Sequence, residues 1–153
     1  MPLFVFVFAL LENVFMPELP EVETTVRGLN NTVIGRTIIG YWTDWPKYIK
    51  IPKNNAVFRR RVHNQKIIGV KRLGKNILIY LQNGCVLLIH QKMSGHLMFG
   101  RWIKNAKPKP TGGIWAGQKW LPQKTGTFSE SKNRFIRLIF FFRANCRSFS
   151  DLI

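Results

Sequence analysis

The sequence predicts a mainly β protein with one α-helix near its N-terminus, folded as a two-layer β-sandwich. Apolar residues recur once at helical spacing, early in the chain, and at strand spacing afterwards. Several later runs, such as Ile77-Leu78-Ile79-Tyr80-Leu81 and Val86-Leu87-Leu88-Ile89-His90, are apolar on both faces. Such strands suit stacked sheets better than one sheet with a wet side. With 153 residues, 46% of them hydrophobic, the chain is long enough for one domain with a real core and is too apolar for a disordered tail.

Residues 1–15 are apolar, too short to span a bilayer, and without the basic start and small-residue cleavage site of a signal peptide. They read as an extension upstream of a translation start at Met16; the alternatives are an added strand or a membrane-touching tail. The helix begins around Leu19-Pro20-Glu21. Proline suits the first turn, where its missing N–H costs nothing, and acids there face the positive end of the helix dipole. Val22, Val26, Leu29 and Val33 form one apolar stripe, and Gly35 is the expected stop. Strands are expected over 36–43, 66–73, 76–82, 85–91, 96–102 and 134–143. Asn83-Gly84 is a tight-hairpin signal. Residues 104–132, with Pro108, Pro110 and Pro122, read as a long solvated basic loop. No internal repeat and no phosphate-cradling glycine loop stands out.

The formal charge of +17 points to a polyanionic partner, with nucleic acid first and an anionic membrane or a ribosomal-type role behind it. The charge is uneven. Four of the seven acids precede Arg27, the first base, and from Thr24 onward 24 bases face only Asp44, Glu130 and Asp151. Cys85 and Cys146 are far apart and form no C-x-x-C pair, so they offer neither a zinc signature nor a disulfide framework. A reduced cytoplasmic setting is expected. His63, His90 and His96 show no metal spacing.

The run Met16-Pro17-Glu18-Leu19-Pro20-Glu21-Val22-Glu23-Thr24 resembles the start of the formamidopyrimidine-DNA glycosylase and endonuclease VIII family, and more closely its formamidopyrimidine branch. Two later runs fit the same family. Lys71-Arg72-Leu73-Gly74-Lys75-Asn76-Ile77-Leu78 is similar to its R-R-G-K-Y-L-L-L segment. His90-Gln91-Lys92-Met93-Ser94-Gly95-His96-Leu97 is similar to its H-L-G-M-S-G-x-L segment, with Gln91 and Lys92 departing from it.

The resemblance implies catalytic roles for Pro17, Glu18 and Lys75. Pro17, once Met16 is removed, is the nucleophilic secondary amine, and Glu18 is the proton shuttle beside it. Lys75 contacts the phosphate next to the lesion. Glu21 supports the site, His90 touches a phosphate, and Met93 fills the gap left by the extruded nucleotide. On the residues alone, these positions read as a helix lead-in, an exposed lysine, a strand histidine and a core methionine.

The implied partner is damaged double-stranded DNA, met by a monomer on the cytoplasmic nucleoid, with no membrane. The resemblance covers residues 16–153, about half of a complete enzyme by the usual domain sizes. A helix–two-turn–helix segment and a four-cysteine zinc finger belong to the remainder. No cofactor is therefore expected in this stretch of chain, and its activity by itself is expected to be poor. The rival readings are a non-catalytic DNA-binding fragment of the same fold and an unrelated basic RNA-binding protein.

Overall fold

The computed structural model describes residues 3–10, 19–43, 45–90, 95–104, 120–122 and 136–143. In chain order these form β1 (Leu3–Leu10), α1 (Leu19–Val33), β2 (Thr37–Thr43), a 3-10 turn (Pro46–Tyr48), α2 (Asn55–Val62), β3 (Gln65–Leu73), β4 (Asn76–Leu81), β5 (Val86–His90), β6 (Gly95–Lys104), β7 (Trp120–Pro122) and β8 (Ile136–Phe142).

α1 forms where its stripe predicts. Val22, Val26, Leu29 and Val33 are all buried. Gly35 takes a positive φ of 80° beyond the helix end, a conformation that costs glycine little. Its N–H donates to the Ile67 carbonyl at 2.8 Å, and the Asn30 side chain donates to the Val70 carbonyl at 3.1 Å. The helix therefore lies along β3.

The strands are antiparallel and follow the order β5-β4-β3-β2-β8-β1-β6-β7. β2 and β3 meet through only two residue pairs, Thr37 with Lys66 and Ile38 with Gln65. That short seam divides the order into a three-stranded and a five-stranded section. Ile77, Ile79 and Leu81 from one section and Ile38, Phe140 and Phe142 from the other share one core with the α1 stripe. Fully burying a side chain of this size stabilises the fold by about 1.5–3 kcal/mol.

Four features depart from the sequence expectation. Within the segment ahead of Met16, residues 3–10 form a strand, which was one of the readings open for it. β1 lies between β6 and β8, pairing from Leu3 with Trp102 to Leu10 with Gly95, and from Phe4 with Phe142 to Ala9 with Ile136.

A second helix, α2, was not expected. Only Phe58 and Val62 are buried in it, too few for a visible period. It is held by a local device, since the Asn54 side chain accepts from the N–H groups of Ala56 and Val57.

The Asn83-Gly84 hairpin exists but its loop is wider than two residues. β4 ends at Leu81, β5 begins at Val86, and of the two central residues only Gly84 has positive φ. Lastly, β7 falls inside the stretch expected to be loop and pairs with the end of β6, Ile103 opposite Leu121.

Candidate nucleic-acid interface and active site

Lys75 sits in the turn between β3 and β4, half-buried, directly after Gly74. Gly74 has a φ of 57°, so the chain reverses at a residue with no Cβ penalty and delivers Lys75 to the first position before β4. The next residue, Asn76, lies opposite His90 in the β4–β5 register. Their side chains meet, with His90 Nδ1 2.8 Å from Asn76 Oδ1. An amide oxygen only accepts, so Nδ1 carries the proton in this pair and Nε2 is left for a ligand. A phosphate oxygen on Nε2 would call for the imidazolium, in which both nitrogens donate.

The start of α1 is tied to the same corner. Arg72 Nε donates to Glu23 Oε2 at 2.9 Å, and Arg72 Nη1 donates to the Gly74 carbonyl at 3.3 Å. Arg27 Nε reaches the other carboxylate oxygen of Glu23 at 3.3 Å. The Arg72 hydrogen bond holds the Glu23 carboxyl below the ordinary carboxylate value, against a smaller opposing push from desolvation. One guanidinium thus joins the first turns of α1 to the turn that carries Lys75. Glu21, on the same helix, is exposed.

Of the residues singled out in the sequence, the structure brings Lys75 and His90 together, with α1 bound to their corner through Glu23. Pro17, Glu18 and Met93 lie outside the described residues. Glu23, Arg72 and Asn76 were missed as partners. The Glu23–Arg27 pair is visible as an i, i+4 spacing. The Arg72 contact spans 49 positions and leaves no local signal. Among the described residues no group of three His, Cys, Asp or Glu side chains could hold a metal ion. No described helix is long and apolar enough to cross a membrane.

The domain is mainly antiparallel β, flanked by a helix that opens with a proline-acid turn, and it carries a Gly-Lys turn beside a strand histidine. The chain matches the family described as "Formamidopyrimidine-DNA glycosylase N-terminal domain" over residues 16–151, and it belongs to that family.

Among curated relatives it is 46% identical over 82 residues to the formamidopyrimidine-DNA glycosylase of Lactiplantibacillus plantarum, covering 52% of this chain and 28% of that protein. It is 40% identical over 83 residues to that of Bacillus cereus, covering 54% of this chain and 30% of the relative. The match thus spans under a third of the length of either relative.

Two solved structures share the fold. Fpg in complex with N7-benzyl-Fapy-dG DNA superposes with a TM-score of 0.52 at 21% identity, over 82% of this chain and 39% of that one. Lactococcus lactis Fpg with Fapy-dG DNA gives 0.51 at 20% identity, with the same coverage of 82% and 39%.

Proposed function

We propose that this chain is the lesion-processing domain of a base-excision-repair DNA glycosylase, one that removes oxidised purines of the formamidopyrimidine and 8-oxoguanine type and then nicks the strand. The observation that carries this reading is the convergence of Lys75, His90 and α1 on one corner, within a chain matched to the family from residue 16 onward. The structures of the related Fpg with Fapy-dG DNA support the substrate class.

Pro17 as an N-terminal residue presents a secondary amine. An α-amino group titrates near ~8, so a useful fraction is neutral at neutral pH, where a lysine is nearly all protonated. The amine attacks the sugar C1′, the bond from C1′ to the base breaks, and the base leaves with the amine's proton. The ring opens with O4′ taking a proton from the Glu18 carboxyl, which leaves an iminium at C1′ and a carboxylate at Glu18. The iminium acidifies the neighbouring C2′–H; the Glu18 carboxylate takes that proton, the C2′–C3′ double bond forms, and the C3′–O bond breaks with the 3′ phosphate leaving as its anion. Lys75 holds a backbone phosphate by a fixed ammonium, and His90 takes a second one through Nε2. Met93 enters the gap left by the flipped nucleotide, whose unstacking costs a few kcal/mol. The protein acts as a monomer on cytoplasmic DNA.

A second reading, DNA binding without turnover, is favoured by one observation. β1 is paired on both sides, so residues 3–10 are knit into the sheet, and in a chain that keeps them the Pro17 nitrogen is a peptide nitrogen. Borohydride trapping on 8-oxoguanine duplex separates the two. A chain processed to begin at Pro17 and joined to the remaining part of a full-length relative should form a covalent adduct and nick. Binding without any adduct from that chain would refute the enzymatic reading.

A further inference from the structure

Six cations fall between Lys47 and Arg61, and no Asp or Glu occurs between Asp44 and Glu130. Lys47 lies in the 3-10 turn, Lys50 and Lys53 follow it, and Arg59, Arg60 and Arg61 form the last turn of α2. All six are exposed. Among the described residues the ion pairs are those of Glu23 with Arg27 and Arg72, and none involves this group.

The surface is held rigidly. Ile49, Phe58 and Val62 are buried in the common core, and Phe58 packs edge-on to Tyr41 with ring centroids 5.0 Å apart. The Tyr41 hydroxyl donates to the Asn55 carbonyl at 3.3 Å, and the Asn83 side chain donates to the Arg61 carbonyl at 2.9 Å. Trp45 stands half-exposed at the edge, edge-on to Tyr48 at 5.9 Å.

The Asn83 contact also fixes where this surface lies. Asn83 follows the Leu81 end of β4, whereas Lys75 and the Asn76–His90 pair stand at the other end. The strand between them is six residues long. At ~3.3 Å per residue its ends are about 17 Å apart. The helix dipole favours a cation in the last turn by only ~0.3–1 kcal/mol. It gives no reason for three adjacent ones, which repel each other.

We propose that the exposed face of α2 and the 3-10 turn is a second nucleic-acid contact, which grips a phosphodiester backbone separately from the Lys75–His90 corner. The forked, weakly hydrated guanidinium is suited to phosphate oxygens, and a polyanion relieves the repulsion among these cations while releasing its own counterions. Trp45 offers an aromatic face beside them. A bilayer is the poorer partner, because α2 turns Phe58 and Val62 inward and presents three arginines, which leaves Ile51 as the one exposed large aliphatic residue between the 3-10 turn and the end of α2. The partner class rests on the DNA reading above; the location of the surface does not.

The test uses the 153-residue chain and a long undamaged duplex, with affinity followed by fluorescence anisotropy across a salt series. Arg59→Gln/Arg60→Gln/Arg61→Gln is compared with Lys47→Gln/Lys50→Gln/Lys53→Gln and with Lys75→Ala. Each phosphate neutralised contributes a slope of ~0.9 in log K against log salt. At ~100° per residue about two of the three arginines face one backbone, so the arginine variant should flatten the slope by about 2. It should weaken low-salt binding at least tenfold. The lysine variant should flatten the slope by about 1 or more. Lys75→Ala should add to either, as independent sites do.

Unchanged slopes in both charge variants, with wild-type melting curves, would overturn the proposal. So would loss of binding to phosphatidylglycerol vesicles with DNA binding intact. If the arginine variant does not fold, the lysine variant decides. A flattened slope in the charge variants with no effect of Lys75→Ala would sink the first site and leave this one standing.

Discussion

At the Asn76 end of β4, the side chains that flank Lys75 are tied to other groups, and the turn that carries it is fixed through them. Arg72 bridges Glu23 and the Gly74 carbonyl, and His90 meets Asn76. At the Leu81 end, Arg59, Arg60 and Arg61 carry more charge per residue, yet only the backbone beneath them is fixed, by Asn83 and by Phe58 in the core. A site that must place one ammonium against one reacting sugar needs its donors preorganised. A surface that only collects phosphates needs charge density and a rigid base, and loses little if each guanidinium swings. On the proposed function, the contrast between a lysine carried on a tied turn and arginines carried on a bare helix end separates chemistry from grip.

The largest effect that would sharpen this contrast concerns the nucleophile. With the remaining part of a relative attached, a chain beginning at Pro17 should trap oxidised DNA. The same fusion carrying residues 1–16 should trap less by a factor on the order of 100 or more, because its Pro17 nitrogen is an amide. Pro17→Gly in the shorter chain should also impair trapping. The arginine triple variant should bind more weakly but trap normally at saturating DNA. Equal trapping with and without residues 1–16 would break the distinction.

Next in size is Lys75→Ala. It should reduce nicking at saturating DNA and lower the salt slope of binding by about 0.9, one phosphate's worth. A surface lysine of the opposite end, Lys53→Ala, should lower the slope without touching the nicking rate. If the two variants behave alike, Lys75 is not part of the chemistry.

A smaller effect comes from the turn itself. A Cβ on Gly74 would meet nothing within 4 Å, so Gly74→Ala tests backbone conformation alone. At a φ of 57° it should cost about 1 kcal/mol in a denaturant melt, with the nicking rate falling as Lys75 shifts. A stability loss with an unchanged nicking rate would mean that the turn does not set the Lys75 position.

The sequence made α1 legible because four apolar residues share one face and a glycine closes it. It made β2 to β6 and β8 legible because their Ile, Val, Leu and Phe runs have strand length. α2 was illegible because two buried residues do not make a period and three arginines mask them. β1 was ambiguous because an apolar run of eight residues fits an added strand, an extension or a membrane-touching tail equally well until its partners are known. At the site, the family motif pointed to Lys75 and His90 by position. The contacts around them, Arg72 with Glu23 across 49 residues and Asn76 with His90 across 14, depend on register, which no local pattern encodes.

The smallest effect is that of Glu23→Gln, and its sign is fixed by the direction of the carboxyl shift. The Arg72 hydrogen bond lowers the folded-state value below the ordinary 4.5, with Arg27 adding to it and desolvation opposing. A depressed carboxylate contributes stability that is fully present above the unfolded value and is lost as pH falls through the folded one. The wild-type protein should therefore melt slightly above Glu23→Gln at neutral pH, and the two curves should converge in acid, below the folded-state value. Glu23 is half-exposed, so solvent screens the pair and the difference should be small. Glutamine keeps an oxygen for Arg72 but not the charge, so the turn should loosen only modestly. The nicking rate should fall less than in Gly74→Ala, while the salt slope set by the α2 surface stays as it was. A melting difference that grows toward acid would mean that Arg72 is held by something other than Glu23. The corner and the basic face would then differ in charge density alone.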